Sequence, residues 1–145
     1  MQLTTTTLLA LVAAASAAPT LTERANTCGW SSFAVDTSSQ AVASHCQTLV
    51  SVLQPGSFPS YNWDLTNSWK TVISYDTCSF TARTVRNARG QIGNEDVYDL
   101  LRDSLRDGNR GGLVGAKGSM SCNGVDVEWR VLRAEGGGST IGFGK

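Results

Sequence analysis

The only histidine of the 145-residue chain, His45, stands next to Cys46. A cysteine nucleophile with a histidine base needs both side chains on one side, yet adjacent helical positions diverge by about 100°. Cys46 is also required for an even cysteine count, so His45 reads as a half-exposed helix residue. A small secreted nuclease needs an acid and a base on opposite sides of the phosphate, commonly a histidine with a glutamate or a second histidine. Glu128, Lys117 and Arg130 could furnish part of such a site, but no pattern brings His45 to them. Glycoside cleavage needs two carboxyls about 5–10 Å apart across a cleft. Of the acids Glu95, Asp96, Asp99 and Asp103, the last two stand at i,i+3 from Arg102 and Arg106, the pattern of a solvated helix face. No Gly-x-Ser-x-Gly elbow offers a serine nucleophile.

Other chemistries fare no better. Cys28, Cys46, Cys78 and Cys122 contain no C-x-x-C pair, and one histidine adds little to the supply of zinc ligands. Neither a metal nor another cofactor is expected. The glycines around Lys117 invite a phosphate loop, which requires G-x-x-x-x-G-K-[ST] between a strand and a helix. Here Ala116 separates Gly115 from Lys117, Gly118 follows, and the predicted helix precedes. Trp30, Trp63, Trp69 and Trp129 could stack on sugars, although tryptophans in a small domain more often fill the core. Trp63 is the best stacking candidate because polar residues surround it. Lys117, Glu128, Arg130 and Trp63 thus remain as candidate contacts to a target, with no catalytic residue expected.

Twelve basic residues balance twelve acidic ones, so no global field draws nucleic acid or an anionic membrane. Residues 8–15 form an apolar run ending in Ala15-Ser16-Ala17, too short for a bilayer. With its small-x-small site it reads as a secretory signal peptide cut after Ala17, with Arg24 a further processing candidate. No later segment is long or apolar enough to span a membrane. In a secreted chain of this size the four cysteines imply two disulfides, and the sequence leaves all three pairings open. Each bridge would add roughly 2–4 kcal/mol to a total of roughly 5–15 kcal/mol. The expected organisation is a signal peptide at 1–17, a flexible segment at 18–27, one monomeric domain at 28–133 and a disordered Gly-rich tail at 134–145.

A first strand is predicted from Cys28 to Val35. Thr37 and Gln40 form a T-x-x-Q capping box, and Val42, Cys46, Leu49, Val50 and Leu53 follow at helical spacing until Pro55-Gly56. Residues 61–86 mix aromatic and β-branched residues with Thr and Ser, a strand texture. Trp69, Thr71, Ile73 and Tyr75 alternate with their neighbours, as do Cys78, Phe80 and Ala82. The change of parity at Asp76-Thr77 predicts a turn or bulge. Residues 86–93 read as a loop. A second helix begins near Asn94 as cap, buries Val97, Leu100, Leu101 and Leu105, and ends at Gly108.

Asn123-Gly124 predicts a two-residue hairpin. It sets Cys122 opposite Val125, Met120 opposite Val127, Gly118 opposite Trp129 and Ala116 opposite Val131, all on one apolar face. The other face pairs Ser121 with Asp126, Ser119 with Glu128 and Lys117 with Arg130, the last two each with an acid in diagonal reach. The glycines near Lys117 therefore belong to a hairpin. The sum is an α+β domain, two helices on one face of a mainly antiparallel sheet in a split β-α-β arrangement.

The stretch "IGNEDVYDLLRDSLRD" followed by "VGAKGSMSCNGVDVEW" resembles the fungal effector family of extracellular protein two, described as necrosis-inducing factors. Cys28 with Phe33, "VASHCQTLV" and "ISYDTCSF" extend the likeness to residues 28–133. Family members often continue the last strand with a glycine and an aromatic after the tryptophan, where this chain has Arg130-Val131-Leu132. The resemblance implies a secreted, non-enzymatic protein whose relatives act on host plants and can provoke cell death. It also implies a sandwich like that of virus-encoded fungal killer toxins, which interfere with ion transport. Only the four cysteines carry over as site residues. Three functions are thereby set against one another: an effector acting on an unidentified host-cell target, a killer-toxin-like protein acting on competing fungi, and a small hydrolase such as a nuclease.

Overall fold

The computed structural model describes residues 26–136. The expected signal peptide and most of the expected tail lie outside the described residues. In chain order the elements are β1 (Cys28–Ser31), β2 (Ala34–Val35), β3 (Ala41–Val42), α1 (Ala43–Leu53), β4 (Asn62–Leu65), β5 (Lys70–Tyr75), β6 (Cys78–Thr84) and β7 (Gly90–Gly93). Then follow α2 (Asn94–Asp107), β8 (Asn109–Arg110), β9 (Leu113–Val114), β10 (Ala116–Cys122) and β11 (Val125–Arg133). The main sheet runs β1-β10-β11-β6-β5, with β2 also on β10. Two small sheets, β3-β9-β8 and β4-β7, complete an all-antiparallel set.

The β10–β11 hairpin has the register that its sequence predicts, from Cys122 opposite Val125 to Ala116 opposite Val131. Asn123 and Gly124 both take positive φ, 50° and 81°, the requirement of the tight turn whose twist matches the strands. Inward residues of this hairpin and of β6 form the floor of the core: Phe80, Ala82, Met120, Val127, Trp129 and Val131. Phe80 and Trp129 stack at 6.1 Å with an interplanar angle of 8°. Helix α1 lies over β5 and β6, and α2 packs beside α1. Their apolar stripes, Cys46, Leu49, Val50 and Leu53 on α1 and Val97, Leu100 and Leu101 on α2, join the same core. The bridges are Cys28–Cys122, closing the edge strand onto the hairpin, and Cys46–Cys78, tying α1 to the sheet.

Several expectations need correction. The first strand is broken: β1 and β2 both pair with β10, interrupted at Ser32-Phe33. Thr37 and Gln40 do not cap α1, which starts at Ala43 behind Val42 with no side-chain cap. Ala41 and Val42 instead pair with β9, and the free helix amides find distant partners. Val42 N–H donates to Thr77 Oγ1 (3.0 Å) and Ala43 N–H to the Gly112 carbonyl (2.8 Å). Half of the predicted 86–93 loop is strand β7, paired with β4. The N-cap of α2 is Gly93, and Asn94 is its first residue, with Oδ1 accepting from Tyr61 N–H at 3.0 Å. Ala134, the first residue of the expected tail, donates its N–H to the Thr77 carbonyl at 2.9 Å. The Asp76-Thr77 turn is present, joining β5 to β6 with Asp76 at φ 48°, and a register shift also interrupts β5 between Thr71 and Ile73.

Candidate functional site

Alternation along β10, β11 and β6 puts Lys117, Ser119, Glu128, Arg130 and Arg83 on the sheet face turned away from α1. Lys117 stands opposite Arg130, and Ser119 opposite Glu128, which in turn faces Arg83. The structure thus brings together three of the four candidate contacts. Two like charges side by side are tolerable only if each has a partner. Lys117 has Asp36, from the segment after β2, with Nζ to Oδ2 at 3.2 Å. Glu128 is engaged by Arg83 at 2.7 Å, so the diagonal acid expected for Arg130 is taken.

Arg130 lies over an aromatic ring instead. Its guanidinium carbon is 4.1 Å from the centroid of Trp69, and that of Arg83 is 4.6 Å from the same ring. Such cation–π contacts hold a planar guanidinium in place without neutralising its charge. Two hydrogen bonds from Ser38, its hydroxyl at 2.6 Å and its amide at 3.0 Å, act with Lys117 to hold the Asp36 carboxyl down to about 2. Asp36 is therefore a fixed anion that keeps Lys117 in place.

Trp63 does not join this face. It is 5% exposed on β4, with Tyr61 edge-on at 5.2 Å and Phe58 tilted at 6.4 Å. Its polar sequence neighbours alternate outwards while its ring turns in. The tryptophans that reach the surface are Trp69, half-buried, and Trp30, 89% exposed on edge strand β1. Trp129 is fully buried, and its indole N–H donates to Ser31 Oγ at 2.8 Å.

His45 sits at the turn between β5 and β6, next to the Cys46–Cys78 bridge. Its Nδ1 is 2.9 Å from Thr77 Oγ1 and accepts the Thr77 amide at 3.4 Å, which leaves Nε2 to carry the proton towards Asp76 Oδ2 at 3.4 Å. Hydroxyl, imidazole and carboxylate thus stand in a row, an order that resembles a nucleophile relay. Thr77 Oγ1, however, already accepts the helix-start amide of Val42. The row ties the turn to α1. Glu128 has its own partner on the outer face, so the histidine–glutamate pair of a nuclease is not assembled.

The acids of α2 divide in two. Asp99 pairs with Arg102 at 3.0 Å and Asp103 with Arg106 at 3.1 Å, both i,i+3 on the solvent side. Asp96 is buried at 7% exposure. It accepts the Gly93 N–H at 3.0 Å from the helix start, Thr27 N–H at 2.9 Å and hydroxyl at 3.2 Å, and Cys28 N–H at 3.3 Å. Burial pushes this carboxyl up while the surrounding donors pull it down. The sequence signal was its place at the third helical position, where an acid caps the helix start; the strand that it also holds is distant in sequence. Among the described residues no group of three or more His, Cys, Asp or Glu could hold a metal ion, and no helix is long and apolar enough to cross a membrane.

No curated protein matches the chain. The family model Hce2, described as "pathogen effector; putative necrosis-inducing factor", matches residues 27–122. The matched stretch runs from the start of β1 through the end of β10, and holds all four cysteines together with both helices. The likeness in "VASHCQTLV", "ISYDTCSF" and the α2 stretch is thereby located in the disulfide-tied helix–sheet core: the chain belongs to the Hce2 family of pathogen effectors.

Proposed function

We propose that the protein is a secreted fungal effector that acts on host plant cells by binding, without turning over a substrate, and provokes cell death or otherwise promotes virulence. Family membership over residues 27–122 carries this reading. Two disulfides in so small a domain support an oxidising, extracellular destination. The His45 row engaged in tying a turn, and a Glu128 engaged by Arg83, support binding over hydrolysis. The outer face carrying Lys117, Glu128 and Arg130, with Trp69 in the role expected of Trp63, is the contact surface.

The test is ion leakage from leaf tissue infiltrated with purified oxidised protein, with a reduced and alkylated sample as control. Leakage that requires intact disulfides is the expected result. Lys117→Ala should weaken it with little change in the melting temperature, because the substitution removes only a rim charge worth less than about 1 kcal/mol. Fungal growth inhibition with no leaf response would transfer the action to competing microbes. RNA or glycan turnover abolished by His45→Ala or Glu128→Ala would overturn the binding reading.

A further inference from the structure

The outer face of the main sheet has two grooves that share Ser32, Ser119 and Glu128. One, of about 350 Å³, extends to Trp69, Lys117 and Arg130. The other, of about 520 Å³, extends to Trp30, Val85 and Asp126. Joined at their shared residues, they form a trough across the strands with an indole towards each end. From β1 to β5 the sheet takes four interstrand steps, about 19 Å at the usual spacing.

The polar groups of the trough are unequal. Ser32 and Ser119 hydroxyls lie 3.1 Å apart at its middle. Glu128 is committed to Arg83 and Asp36 to Lys117. Arg130 is exposed, held against Trp69, and has no carboxylate partner among the described residues. A guanidinium fixed in this way is free to meet an incoming carboxylate, and Lys117 directly across the ladder, its charge balanced by Asp36, adds a hydrogen-bond donor. An indole, flat and apolar with a polar edge, suits the C–H face of a sugar ring, and serine hydroxyls suit the ring's own hydroxyls. The trough is shallow and hydroxyl-lined, without the deep apolar pocket that anchors a protein hot spot.

We infer that this trough binds an acidic oligosaccharide, with a uronate carboxylate on Arg130, itself held on Trp69, and a further sugar ring on the exposed indole of Trp30. The choice of a plant-wall uronate rests on the effector reading; the chemistry of the trough does not. Arg130 and Glu128 lie beyond the matched residues 27–122, so the family match does not bear on them.

Isothermal titration calorimetry of the oxidised protein with a galacturonate oligomer tests it, beside the same oligomer methyl-esterified, the free monosaccharide and inorganic sulfate. Saturable binding of the acidic oligomer alone is expected. Arg130→Ala should weaken it about ten-fold or more, the loss of a charge-assisted hydrogen bond. Trp30→Ala, at a side chain too exposed to disturb folding, should weaken it about three-fold, the scale of an aromatic contact. Equal binding of the ester would overturn the carboxylate, and equal binding of monosaccharide or sulfate would overturn the extended trough. No heat with any oligomer, from protein with unchanged circular dichroism, would overturn the site. Leaf leakage decides the other reading separately: oligomer binding without leakage keeps the trough and removes the effector action, and leakage without oligomer binding does the reverse.

Discussion

The two faces of the main sheet are written in the same strands, one residue apart, and are built for different purposes. On the helix side Phe80, Val127, Trp129 and Val131 are buried against one another, and bridges fasten that layer to α1 and to the edge strand. On the open side Lys117, Ser119, Glu128 and Arg130 face solvent, held by ion pairs and by Trp69. Burial of a large side chain is worth about 1.5–3 kcal/mol, whereas an exposed ion pair is worth about 0–1 kcal/mol. The open face can therefore change its chemistry while the fold stays intact. A substitution there that removes activity without moving the melting temperature identifies a binding residue, an inference that no inner-face substitution permits.

The sharpest way to break the contrast is to remove what fastens the inner layer. Reduction of both bridges should unfold the domain, because each is worth about 2–4 kcal/mol and the total stability of such domains is about 5–15 kcal/mol. Loss of the near-ultraviolet dichroism measures it; a reduced protein with an unchanged melting curve would contradict it. Next in size, Trp129→Ala should cost about 3–5 kcal/mol, read as a lower urea midpoint. It removes the stack on Phe80, the tilted contact with Phe33 at 6.1 Å and the indole bond to Ser31.

Gly118→Ala sharpens the comparison from the other direction, since the change is a single methyl. A Cβ at that position would lie 2.0 Å from the Ser32 carbonyl oxygen and 2.8 Å from the Trp129 ring. The broken edge between β1 and β2 must then move, at a cost of about 1–3 kcal/mol. A melting temperature equal to that of the parent protein would show that the edge yields freely. The sequence placed this glycine under the Trp129 ring through the hairpin register, but not beneath Ser32, which approaches from a strand whose break no local signal announces.

That pattern holds across the chain. Features fixed by near neighbours were legible: the β10–β11 register, the helix stripes from Cys46 to Leu53 and from Val97 to Leu101, and the turn at Asp76-Thr77; the cysteine count announced two disulfides but not their pairing. Features fixed by distant partners were not. Thr37 and Gln40 satisfy a capping pattern, yet pairing of Ala41 and Val42 with β9 displaces the helix start. The 86–93 segment lacks strand composition, and β4 recruits half of it. For the site, three charged candidates follow from strand parity alone. The exchange of Trp63 for Trp69 and the ring beneath Arg130 depend on where β5 lies beside β6. Asp96 announces its helix-capping role, but its hold on Thr27 and Cys28 depends on folding.

The smallest expected effect lies on the rim of the open face. Asp36 is held at about 2, against an ordinary value of 3.8, by Ser38 first and by Lys117 after it. A carboxyl lowered in the folded state contributes stability above its unfolded value and loses it as the pH falls towards the folded one. The contribution of Asp36 should thus be complete above about pH 4 and gone near pH 2. Asp36→Asn keeps a side-chain oxygen for the Ser38 donors but removes the charge that Ser38 and Lys117 both hold, so the pH-dependent part of its effect reports the two together and the salt-dependent part reports Lys117. At neutral pH it should be less stable by under about 1 kcal/mol, an exposed pair being screened by solvent and salt. Urea midpoints for the two proteins should converge as the pH falls from 4 to 2 and draw closer in high salt. A gap constant down to pH 2 would assign the effect to the turn at Ser38 and not to the charge, and Lys117 would then owe its position to the strand alone.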